Sequence, residues 1–142
     1  MKGYLISDQT QDMDIPAIHK FISQSYWAQD IPLPTLKRSI ENSLCFGVFT
    51  HENEQVGFAR LITDQATFAY LADVFIAEHH RGKGLSKWLI KTIIEHPKLQ
   101  GLRRMVLATK DAHGLYSQYG FKNLATPDIF MERHQASVYQ AL

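Results

Sequence analysis

The chain has 142 residues, 45% of them hydrophobic, and 15 Lys and Arg stand against 14 Asp and Glu for a formal charge of +1. That length can bury one proper core but not two, so a single domain over residues 1–142 is expected, and the near-zero charge excludes the broad basic field of a nucleic-acid binder. The lone Cys45 forbids an intrachain disulfide, no apolar run reaches membrane-spanning length, and Met1-Lys2-Gly3-Tyr4 has no signal-peptide profile, which together lead to the expectation of a cytoplasmic protein with no membrane partner.

The chain opens with a short candidate strand over 4–7. Residues 14–24 read as a helix with Ile15, Ile18 and Ile22 on one stripe and Pro16 tolerated in the first turn. Two prolines break regular structure over 26–34, and 35–42 forms a second short helix with Leu36 and Ile40 inward. Strands follow at 44–50 and 55–63, joined by the polar His51-Glu52-Asn53-Glu54 of a hairpin. Residues 67–77 are the longest strand, with Leu71, Asp73 and Phe75 read on one face. The strongest helix is 85–96, where Leu85, Trp88, Leu89, Thr92, Ile93 and His96 recur at helical spacing until Pro97 stops it. A strand at 104–109, a helix at 112–119 with Asp111 as N-cap and Gly120 at its end, and a last strand over 123–134 complete the order β-α-α-β-β-β-α-β-α-β. The class is α+β with a mixed, mostly antiparallel sheet flanked by about four helices.

Between the long strand and the strongest helix lies His80-Arg81-Gly82-Lys83-Gly84-Leu85-Ser86-Lys87. Two glycines one residue apart let successive N–H groups turn toward an anion, and the following helix adds uncapped amides and the positive end of its dipole. This is a phosphate cradle. It is not a P-loop, because no glycine stands at the required distance before Lys83 or Lys87, and Lys87 occupies the third-glycine position of a dinucleotide fingerprint.

Arg81-Gly82-Lys83-Gly84-Leu85-Ser86 resembles the Gln/Arg-x-x-Gly-x-Gly/Ala coenzyme A loop of the GNAT superfamily of N-acetyltransferases, with Ser86 as the one departure. Leu115-Tyr116-Ser117-Gln118-Tyr119-Gly120-Phe121 resembles that family's Leu-Tyr-x-x-x-Gly-Phe segment, and the element order extends the resemblance over nearly the whole chain. The resemblance implies acetyl transfer from acetyl-CoA to a primary amine by direct attack in a ternary complex. It places Arg81, Gly82, Lys83, Gly84, Leu85, Ser86 and Lys87 on the pyrophosphate, and the backbone of Val74, Phe75 and Ile76 along the pantetheine arm. Tyr116 becomes the acid that protonates the leaving thiolate.

Such a reaction needs a route for the amine proton, an oxyanion donor and an acid. Asp73 is a candidate base because an ionised carboxylate on an apolar strand must be paired, hydrogen-bonded or solvated by a site; pairing with Arg60 is the competing reading, and ordered water is the other proton route. Tyr26, Trp27 and Asp30 are candidates for the acceptor wall, with Trp27 equally able to plug the core beneath that loop. Arg103 or Arg104 is a candidate for the ribose 3′-phosphate, and His113 for the border of the site. Adjacent His79 and His80 point opposite ways with no carboxylate or thiolate at a useful spacing, so no metal is expected. The acceptor is a small molecule or peptide amine. Dimerisation is common among family members, and nothing in the sequence fixes it. The rival reading is a GNAT-fold module that senses acyl-CoA without turnover, against which the retention of Tyr116 argues.

Overall fold

The computed structural model describes residues 1–141 and places five strands in one sheet in sequence order: β1 (Tyr4–Ser7), β2 (Leu44–Thr50), β3 (Gln55–Thr63), β4 (Phe68–Ile76) and β5 (Arg104–Leu107). The first four pair antiparallel, and β5 joins β4 in parallel. Four helices accompany them: α1 (Ile15–Ile22), α2 (Leu33–Glu41), α3 (Leu85–Ile94) and α4 (His113–Ser117). This is the expected α+β class.

Both faces of the sheet are covered, which explains why β2 reads as a near-continuous apolar run. One face carries α3: Leu85, Leu89, Ile90 and Ile93 pack on Phe46, Val48, Ala59, Leu61, Ala69 and Leu71. The other carries α1 and α2, whose Ile18, Ile22, Leu36 and Ile40 meet Cys45, Phe49, Phe58 and Phe75. Each of these buried aliphatic side chains contributes about 1.5–3 kcal/mol relative to an exposed one. Asp14 caps α1 by accepting from the Ala17 amide at 3.1 Å, so the helix begins at Ile15, the first residue of the apolar stripe and one residue inside the expected 14–24 span.

Two expectations are corrected. Residues 123–134 form no strand; they run as irregular backbone with one 3-10 turn at Pro127–Ile129, and 122–138 are exposed throughout. A strand needs a partner for its amides, and no backbone hydrogen bond joins this tail to β5 among the described residues. The second correction concerns Leu71, Asp73 and Phe75, which do not share a face. Phe58 lies opposite Phe75 and Arg60 opposite Ala72, so two steps along β3 match three along β4. The extra residue is a bulge, and Asp73 sits there with φ 58. Leu71 therefore points to the α3 core, and Phe75 to the α1–α2 core.

Smaller differences fall at element ends. Asp111 is not the cap of α4: Ala112 holds that position, and its amide donates to Thr109 Oγ1 at 3.1 Å. The long helix stops at Ile94, and the His96 ring accepts from the Lys98 amide at 3.1 Å as Pro97 begins a 3-10 turn.

Candidate active site

β5 pairs with β4 only from Phe68 to Leu71, so the edge of β4 from Ala72 to Ile76 has no β5 neighbour. The sheet is open there. The free edge carries Val74, Phe75 and Ile76 and leads through a 3-10 turn at Glu78–His80 into the glycine loop. An extended ligand can add to such an edge as a strand does.

The loop has the geometry an anion needs. Gly82 and Gly84 adopt φ 78 and 81, a region L side chains rarely enter, and a Cβ on Gly82 would meet nothing within 4 Å. The Trp88 amide donates to the Gly84 carbonyl at 3.1 Å as the first bond of α3, which leaves the amides of Leu85, Ser86 and Lys87 ahead of the ladder, and no side chain caps them. Arg81 Nε donates to the Ile76 carbonyl at 2.9 Å and so ties the loop to the end of β4. Lys83 Nζ reaches the Tyr4 hydroxyl at 3.2 Å, and that hydroxyl is 2.8 Å from His80 Nδ1. Two positive-φ glycines and three uncapped amides give this loop the donor chemistry that an anion such as a pyrophosphate requires.

Asp73 is 8% exposed and fully engaged. Its Oδ2 accepts from Arg60 Nε at 2.8 Å, and its Oδ1 accepts from the indole Nε1 of Trp27 at 2.7 Å. Arg60 also donates to Ser43 Oγ at 3.2 Å. The bulge lets one carboxylate hold both the interior of β3 and the α1–α2 connection. Trp27 is half exposed beside Tyr26, whose ring carries Lys110 Nζ 4.0 Å from its centroid. The α1–α2 connection thus spans from β4 to the segment after β5, across the open part of the sheet. Asp30 adopts φ 65 at the far end of that connection.

Tyr116 lies on α4 with 8% exposure and lines a cavity of about 780 Å3 with Leu107, Thr109, His113 and Phe121. Burial pushes its phenol above the usual tyrosine range, so it stays protonated at neutral pH. Among the described residues its hydroxyl has no hydrogen-bond partner, and the Phe121 ring packs against it edge-on at 5.8 Å. A smaller cavity of about 240 Å3 sits between α1 and β4, walled by Phe21 stacked on Phe75 at 4.0 Å together with Gln24 and Gln55.

The structure separates one expected group from the site. Arg104 pairs with Phe68, at the end of β4 opposite the glycine loop, because β5 runs parallel to β4. Arg103 and Arg104 are therefore remote from a phosphate bound at the loop. Three neighbours of the site had no signal in the sequence: Tyr4, which anchors Lys83 and His80; Lys110, which rests on Tyr26; and Phe21, which stacks on Phe75. Each acts through a contact between segments far apart in the chain, for which no spacing rule exists. Among the described residues no group of three His, Cys, Asp or Glu is placed to hold a metal, and no helix is long and apolar enough to cross a membrane.

The sheet thus opens beside a glycine anion loop, with a protonated tyrosine in the apolar cluster that also holds Leu85 at the start of α3. The model of the acetyltransferase (GNAT) family matches residues 14–121. Acetyltransferase FG08082 of Gibberella zeae is 34% identical over 147 residues, covering 88% of this chain and 80% of that protein. N-acetyltransferase 8B of Homo sapiens is 31% identical over 125 residues, covering 76% of this chain and 55% of that protein. A crystal structure of a GNAT-family protein from Xanthomonas campestris pv. campestris is 50% identical, with a TM-score of 0.94 over 98% of each chain. The chain belongs to the GNAT acetyltransferase family, whose members use an acyl-CoA donor and an acceptor substrate.

Proposed function

We propose that this protein transfers the acetyl group of acetyl-CoA to a primary amine of a small molecule or peptide, by direct attack in a ternary complex. The observation that carries this is the joint presence of the positive-φ pair Gly82 and Gly84 at an uncapped helix start, and Tyr116 with a protonated, unpartnered hydroxyl. A sensor of acyl-CoA requires the first and has no use for the second. The name of the human relative, an N-acetyltransferase, supports nitrogen as the acceptor atom.

In this reading the amides of the glycine loop and of Leu85, Ser86 and Lys87 bind the pyrophosphate, with the ammonium groups of Lys83 and Lys87 adding charge. The pantetheine arm lies along the open edge of β4 at Val74, Phe75 and Ile76. An N–H of that edge polarises the thioester carbonyl and holds the oxyanion. The neutral amine attacks the carbonyl carbon, the C–S bond breaks, and the thiolate takes the Tyr116 proton. The proton lost by the amine leaves through ordered water. Both oxygens of Asp73 already accept hydrogen bonds, from Arg60 Nε and from the Trp27 indole, so neither is turned toward an incoming amine. Asp73 acts instead as a positioning residue that seats Trp27. Trp27, Tyr26 and Asp30 border the acceptor.

The test is free-thiol release from acetyl-CoA across a panel of amines, amino acids and short peptides, with Tyr116→Phe alongside. Release that depends on one amine class and falls in the variant is the expected result. Acetyl-CoA binding without release from any acceptor would point to the sensor.

A further inference from the structure

Side chains of the glycine loop reach β1, which lies three places from β4 in the sheet. Tyr4 begins β1, where it pairs with Thr50 of β2, and its half-buried ring packs against the α3 core. From that fixed place its hydroxyl lies 3.2 Å from Lys83 Nζ and 2.8 Å from His80 Nδ1. An ammonium has donors only, so Lys83 donates to the phenol oxygen, and the single phenol proton is left for His80 Nδ1. His80 therefore carries its ring proton on Nε2, the nitrogen 4.0 Å from Glu54 Oε1 in the β2–β3 turn. By taking the phenol proton, His80 leaves the oxygen lone pairs of Tyr4 free for Lys83.

The loop has little else to hold its middle. Gly82 and Gly84 are both glycines at positive φ, and Lys83 between them is exposed. Glycine loses more conformational freedom on ordering than any other residue, so fixing this stretch carries an entropic cost. Arg81 Nε holds the start of the loop through the Ile76 carbonyl, and the Trp88 amide holds its end through the Gly84 carbonyl. Among the described residues, the bond from Lys83 to Tyr4 is the one side-chain hydrogen bond made by 82–84. We infer that Tyr4 is a positioning residue for the acyl donor: acting through Lys83, its hydroxyl sets the loop in its binding conformation before coenzyme A arrives. The inference rests on the reading of this loop as the pyrophosphate site. A loop ordered in advance loses less freedom on binding, and the saving is read as affinity. β2 and β3 stand between Tyr4 and the opening beside β4, so turnover of a bound donor does not depend on the hydroxyl.

Calorimetric titration with coenzyme A of the wild type, Tyr4→Phe, Lys83→Met and the double variant tests this. Tyr4→Phe keeps the ring against α3 and removes only the hydroxyl, and a thermal melt checks that each variant is folded. Binding is expected to be about three- to tenfold weaker in Tyr4→Phe than in the wild type. In the Lys83→Met background the same substitution is expected to change affinity by less than about twofold, because the ammonium through which it acts is gone. In steady state the acetyl-CoA KM of Tyr4→Phe rises with kcat unchanged. Acetylpantetheine, a donor without phosphates, is used equally by wild type and Tyr4→Phe. Equal coenzyme A affinity in wild type and Tyr4→Phe overturns the inference and leaves the proposed function standing. So does a loss that persists undiminished in the Lys83→Met background, since the hydroxyl would then act by another route. A wild type that binds no coenzyme A overturns the reading of the loop itself, and this inference with it.

Discussion

The indole of Trp27 donates to Asp73 Oδ1 across 2.7 Å while Arg60 holds the other oxygen at 2.8 Å, so one buried carboxylate fastens the α1–α2 connection to the middle of the sheet. The β4 bulge makes this possible by turning Asp73 out of the alternation that would otherwise have aimed it at the α3 core.

Asp73→Asn keeps an acceptor for Trp27 and a residue type that tolerates positive φ, but it leaves the Arg60 guanidinium without its counter-charge. Breaking a buried pair from one side costs about 3 kcal/mol. Urea denaturation is expected to show that loss. Acetyl transfer by the folded fraction is expected within a few-fold of wild type at saturating amine, with the amine KM raised as Trp27 loosens. A collapse of kcat at unchanged stability would make Asp73 the base.

Tyr116→Phe removes a hydroxyl that no protein group holds, so it strands no partner and the melting temperature is expected to stay where it is. Turnover is expected to fall by on the order of 10²-fold, with acetyl-CoA affinity unchanged, if the phenol supplies the proton to the thiolate. Rapid-quench turnover and calorimetric titration with acetyl-CoA read the two quantities separately.

Gly84→Val places a β-branched residue at φ 81, where the left-handed region costs a side chain about 1–2 kcal/mol. Its isopropyl group also stands at the mouth of the uncapped α3 amides. Loss of acetyl-CoA affinity is expected to exceed the loss of stability. Calorimetric titration beside a thermal melt makes the comparison, and equal losses would mean that only the backbone had been disturbed.

The parts of this molecule legible in the sequence are those written in local spacing. The glycine pair at 82 and 84, the apolar stripe of α3 and the Leu115–Phe121 segment each occupy consecutive residues, and each lies where its pattern placed it. The β4 bulge was not legible, because inserting one residue into a strand leaves the apolar alternation looking unbroken while it puts Leu71 and Phe75 on opposite faces. The tail reads as a strand for a related reason: Ile129, Phe130 and Met131 have strand-like composition, and composition does not say whether a strand edge lies within hydrogen-bonding reach.

Cys45 supplies a test of the α1–α2 core that is independent of catalysis. Its thiol is 2% exposed among Ile40, Phe49 and Phe58, and burial pushes its pKa up to about 12, with the Arg60 charge opposing that and the Asp73 charge adding to it. The unfolded chain releases this proton near the ordinary thiol value of about 8.5, so between that pH and 12 the unfolded state binds fewer protons than the folded one. Stability from this group is complete below pH 8.5 or so and falls as pH rises toward 12, by about 1.4 kcal/mol per pH unit at most. Cys45→Ala removes the titrating group at a small packing cost. Urea denaturation at a series of pH values from 8 upward is expected to show a shallower alkaline decline for the variant than for the wild type. Parallel declines would mean that the thiol ionises in the folded chain as readily as in the unfolded one, and that the core around Cys45 admits water.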